Sequence, residues 1–93
     1  MSSNEHSTIN FSAFVLSLHH NGLMHLGEQM LKDQQVAETH LPMAKQFVDI
    51  LCMLETKTRN NLDEEEASLI KRLLFDLRMK YVEARDKHAA ITT

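Results

Sequence analysis

The stretch from Leu16 to Glu28 brings His19, His20, His25 and Glu28 together inside an otherwise apolar segment. Histidine is the commonest metal ligand and titrates near neutral pH, and a carboxylate beside it could complete a metal site or an acid/base couple. A metal requires its ligands to converge. On a helix turning about 100° per residue, with Phe11 as zero, His19 points to roughly 80°, His20 to roughly 180° and His25 to roughly 320°. Side chains leaving one helix in three directions share no ion. His25 and Glu28, three residues apart, are close enough to interact. They are the remaining candidates for a metal or acid/base site, one that another helix or subunit would have to complete, and His40 is the other histidine of the folded region.

Cys52 lies between Leu51 and Met53 with no base beside it, the setting of a small core residue rather than a nucleophile. Asp49 and Asp76 are single carboxylates flanked by apolar residues. Asp76 has Arg72 and Lys80 one turn away on either side, which accounts for its charge without catalysis. No glycine-rich phosphate loop exists, because the chain's two glycines, Gly22 and Gly27, both belong to the first apolar segment. These residues imply no cofactor and lean away from an enzyme, and a small-molecule ligand is not readable from periodicity.

Thirteen acidic residues against ten basic ones give a net charge of −3, which supplies no field for phosphate backbones. The basic residues from Lys71 to Lys87 share the third helix with Asp63, Glu64, Glu65, Glu66, Asp76, Glu83 and Asp86, which cancel their field, so no nucleic-acid face is expected. The apolar run Phe11 to Leu18 meets His19 far short of the roughly 20 residues a bilayer span needs. No Lys or Arg precedes Lys32, as a signal peptide would require, and the single cysteine suits a reducing compartment. The expectation is a soluble, cytoplasmic chain with no membrane partner.

Three helical periods carry these residues. Phe11, Phe14, Val15, Leu18, Gly22, His25 and Leu26 recur at spacings of three and four, which predicts a first helix over about 10–30 with Gly27 as its stop. Pro42 suits a first turn, and Met43, Phe47, Ile50, Leu51 and Leu54 form the stripe of a second helix over about 41–59, closed by Asn60 in a left-handed conformation. Asp63 and Glu66 have the spacing of a capping box. They open a third helix over about 63–87, with Ile70, Leu73, Leu74, Leu77, Tyr81 and Ala84 on one stripe. Residues 1–9 read as an N-terminal tail, 10–88 as a single helical domain, and 89–93 as a C-terminal tail.

Several segments resemble a bacterial family known as domain of unknown function 1844. They are Leu41-Pro-Met-Ala44, Val48-Asp-Ile-Leu51, Met53-Leu54, Lys57-Thr58, Asn61-Leu62, Glu65-Glu66 and Leu74-Phe-Asp-Leu-Arg-Met-Lys-Tyr-Val-Glu83, preceded by Asn10-Phe-Ser12, Phe14-Val-Leu-Ser-Leu18 and Leu23-Met-His-Leu-Gly-Glu28. The family usually has glycine where this chain has Asn60, a change that still permits a left-handed turn. The loop from Gln29 to His40 matches poorly. The resemblance implies a small helical bacterial protein, and it brings no catalytic or binding residues with it.

A surplus of apolar residues is the more informative feature. On the third helix Phe75, Met79 and Val82 fall away from the Ile70/Leu74/Leu77 stripe, and on the first helix Leu16, Leu23, Met24 and Leu31 fall away from Phe11/Val15/Leu18. Wide buried faces inside one chain could absorb them, or a second surface could cover them. The expected architecture is an all-α, three-helix single domain: an antiparallel hairpin of the second and third helices with the first packed across it. Leu16, Leu23, Phe75, Met79 and Val82 are the expected interface of a non-enzymatic interaction module, joining a homo-oligomer or a protein partner.

Overall fold

The computed structural model describes residues 9–27 and 40–92. Three helices follow in order: α1 (Phe11–His25), α2 (Leu41–Lys57) and α3 (Glu64–Thr92). Their ends are set by local chemistry. Asn10 is extended, and its side-chain oxygen accepts from the Ala13 amide at 2.8 Å, satisfying a donor that the first turn of α1 leaves open. Gly27 takes φ 85° just after α1, as expected of its stop. Residues 28–30, at the end of the expected first helix, lie outside the described residues. Pro42 occupies the first turn of α2, while the side chain of His40, its N-cap, forms no capping bond.

Asn60 turns left-handed at φ 75° between α2 and α3. Asp63 and Glu66 then cap α3 reciprocally: the Glu66 amide donates to Asp63 at 2.8 Å and the Asp63 amide to Glu66 at 3.1 Å. Helix α3 passes Lys87, its expected end, and reaches Thr92. Neither glycine nor proline interrupts Lys87 to Thr92, and two alanines favour continuation.

Cross-contacts give the topology. Ser12 shares a surface hollow with Leu69 and Arg72, His19 meets Asp76, and Gly22 abuts Leu77, so α1 and α3 run in the same sense. His25 packs on Phe47 and beside His40, whose amide donates to the His25 carbonyl at 2.9 Å, so α2 runs back along α1. Glu55 and Arg59 share a hollow with Ala67, Ile70 and Lys71, which makes α2 and α3 the expected antiparallel hairpin. All three helices pack against one another.

The core consists of Val15, Leu18 and Leu23 from α1, Ala44, Val48 and Leu51 from α2, and Ile70, Leu74 and Leu77 from α3. Two expected stripes are rotated. Phe14 and Met43 are exposed, and α2 turns Ala44 rather than Met43 inward, because a methyl group lets the helices approach where a thioether would hold them apart. Phe47, Ile50 and Leu54 pack at the edge of this core.

The three helices approach closely at Gly22. A β-carbon there would lie 2.6 and 2.9 Å from the two terminal carbons of Leu77 and 3.2 Å from Cβ of Phe47. Leu77 is fully buried and has little room to yield. Alanine would gain about 1 kcal/mol in helix propensity, but overpacking of this kind costs about 1–3 kcal/mol. Gly22→Ala is therefore expected to lower the unfolding free energy by on the order of 1 kcal/mol, measured by urea titration. A gain in stability would show that Leu77 and Phe47 adjust freely.

Candidate functional site

Placement of the chemistry-bearing side chains follows from this packing. His19 and Ser12 lie on the flank of α1 that faces α3, and there the His19 imidazole reaches Asp76 with Nε2 2.7 Å from Oδ2. A carboxylate only accepts, so Nε2 carries the hydrogen. The His19 side chain is 15% exposed and that of Asp76 41%, which places the pair at the rim of the core. Lys80, one turn along α3, approaches the other carboxylate oxygen at 3.5 Å. The hydrogen bond from His19 holds the Asp76 carboxyl below the usual carboxylate range; the Lys80 charge adds to this and partial burial opposes it.

The sequence assigns Asp76 to Arg72 and Lys80 and gives His19 no partner. Lys80 is indeed present, and His19 joins it from another helix. A flank position on each helix is readable from periodicity, but the register that matches them is not. Asp49 and Asp76 do not form a couple: Asp49 takes both its contacts, at 3.0 and 3.2 Å, from Lys45 on the surface of α2.

His25 is half-buried near the end of α1 and stacks on Phe47, with ring centroids 5.7 Å apart and planes 19° apart. The His40 ring lies 5.7 Å from that of His25, tilted by 47°. Its expected partner Glu28 lies outside the described residues. His20 is exposed, so the three histidines of α1 diverge as helical geometry requires. Among the described residues no group of three or more His, Cys, Asp or Glu side chains could hold a metal ion. Cys52 is half-buried at the edge of the core.

Of the expected interface residues, Phe75 is 64% exposed, Met79 and Leu16 are each 47% exposed, and Val82 is half-buried. Leu23 is in the core instead, 8% exposed. The buried face of α1 is wide enough to take in both Leu18 and Leu23, so this leucine forms no part of an outer surface. With Leu77 as zero, Phe75, Met79 and Val82 point to roughly 160°, 200° and 140°, directly away from the core. Asp76 points to roughly 260°, so Met79 is the outward shoulder beside it, and Leu16 is the matching shoulder beside His19 on α1. Exposed apolar side chains thus flank the His19–Asp76 contact on its solvent side.

These features define a small protein of three mutually packed helices with an apolar core and apolar residues left on its outside. The chain belongs to the family described as a domain of unknown function (DUF1844), which matches it over residues 8–83. No curated protein and no solved structure matches it. Among the described residues, no helix is long and apolar enough to cross a membrane.

The depressed Asp76 carboxyl stabilises the fold above its unfolded value of about 3.9, and this contribution is lost as pH falls through the folded value. Solvent access to Asp76 limits the effect to about 1 kcal/mol or less. Asp76→Asn is expected to lower stability by about 0.5–1 kcal/mol at pH 7, with the difference from wild type closing below about pH 4. A difference that stays constant from pH 7 to pH 3 in denaturant titrations would rule out the charge as its cause.

Proposed function

We propose that the protein is a non-enzymatic helical interaction module of the bacterial cytoplasm, docking through the outward face of α3 and the adjoining shoulder of α1. The observation that carries this reading is Phe75, 64% exposed in mid-helix on the side opposite the core. Burying a phenylalanine side chain contributes about 1.5–3 kcal/mol, and Met79 and Leu16 extend the patch with an adaptable thioether and a second branched chain. The His19–Asp76 contact supports the reading as well, because it joins α1 to α3 with Leu16 and Met79 both exposed beside it.

Phe75→Glu and Met79→Glu should leave the circular dichroism spectrum and melting temperature near wild type, since neither side chain is in the core. They should reduce the molar mass seen in light scattering, or abolish capture of a protein partner from lysate. A wild-type chain that stays monomeric at high concentration and captures nothing would overturn the proposal.

A metal or acid/base role around His25 is a second reading, favoured by one observation. The His40 ring stands 5.7 Å from the His25 ring, and the bond from the His40 amide to the His25 carbonyl fixes their backbones together. Imidazole nitrogens lie on the ring edge, so stacking on Phe47 does not cover those of His25, and another ligand would have to complete the site. Titration of the untagged protein with zinc should then give a binding heat that His25→Ala and His40→Ala each remove. Heats unchanged by both substitutions would eliminate this site.

A further inference from the structure

We infer that the occupant of the Phe75/Met79 face is the same face of a second copy, with the two α3 helices antiparallel. This rests on the docking reading above and adds the partner and its register. The argument comes from charge placement. With Leu77 as zero, Arg72, Glu83 and Asp86 point to roughly 220°, 240° and 180°, on the same flank of α3 as Met79. All three are exposed. Arg72 precedes Met79 by as many residues as Asp86 follows it, and Phe75 precedes it by as many as Glu83 follows it.

A two-fold axis beside Met79 therefore sets Met79 on its own copy. Arg72 of each chain comes against Asp86 of the other, and Phe75 lies over the opposite Val82 and the stem of Glu83. At about 1.5 Å per residue the charged pairs lie about 10 Å from the axis, bracketing the apolar centre. A parallel pairing would stack Arg72 on Arg72 and the acids on themselves. Arg85 already contacts Asp86 within the chain at 3.4 Å, leaving that carboxylate with oxygen lone pairs for Arg72 of the second copy. Lys71 and Arg78 point to roughly 120° and 100°, toward the α2 side, and remain in solvent at one edge. Closed two-fold pairs are the commonest oligomers, and a face whose charges complement themselves by reversal is suited to one.

The full chain with Cys52→Ser is the background for the test. Sedimentation velocity should show a concentration-dependent dimer, with Arg72→Glu weakening it by about tenfold or more. Mixing the Arg72→Glu chain with a chain carrying Glu83→Lys and Asp86→Lys should restore association above that of either alone. Under mild oxidation the Arg72→Cys chain should cross-link to the Asp86→Cys chain and not to itself. Self-linkage of the Arg72→Cys chain, or a dimer indifferent to these charges, would overturn the antiparallel register while leaving the docking face in place. A wild-type monomer whose captured partner is lost with Phe75→Glu would overturn self-pairing alone, and a monomer with no capture would overturn both.

Discussion

Three helices meet at Gly22, and the rest of the architecture depends on that approach. The α-hydrogen of this residue is all that separates α1 from Leu77 of α3 and from Cβ of Phe47 of α2. One glycine thus sets two helix separations at once. Around it Val15, Leu18, Leu51, Ile70 and Leu77 close into a core that contains no buried polar or charged side chain among the described residues. Apolar packing of this kind is tight but poorly directional, since many registers would bury similar area.

Polar contacts at the rim supply the direction that the core lacks. The His19–Asp76 bond fixes α1 along α3, and the amide of His40 bonded to the carbonyl of His25 fixes the start of α2 to the end of α1. Asn60 and the Asp63/Glu66 box fix where α2 turns into α3. Each contact is modest in energy, since exposed pairs contribute about 0–1 kcal/mol and a cap about 1 kcal/mol. Their effect is on specificity, because a helix slipped by one turn would lose them while keeping most of its apolar burial.

The helices, the Asp63/Glu66 cap and the left-handed Asn60 are legible in the sequence because each is decided within a few residues: a period, a proline, a capping pair. What is not legible is anything that needs two helices in known register. Periodicity marks His19 and Asp76 as flank residues but cannot join them. It places Met43 on the α2 stripe, whereas the packing of neighbouring helices rotates α2 so that Ala44, Val48 and Leu51 face inward. Nothing in the residues from Lys87 onward stops a helix, and α3 accordingly continues to Thr92. The outer face of α3 is legible as a surplus, since Phe75, Met79 and Val82 oppose a stripe already complete without them.

The surplus apolar residues have different fates: Leu23 of α1 is buried within the chain, whereas Leu16 and Met24 of α1 and Phe75 and Met79 of α3 stay exposed. On α1, Leu23 is taken into the core because that helix touches both others and so has a wide face to bury. Helix α3 also touches both others, with Leu69 and Asp76 on the side of α1 and Ala67 and Lys71 on the side of α2. Phe75 lies roughly 160° from Leu77, too far round for α1 or α2 to reach. Three helices arranged around one core leave each helix an outer side by geometry alone, and solvated charge normally fills it. A large aromatic side chain there, with methionine one turn on, is apolar surface that this chain's own helices leave exposed.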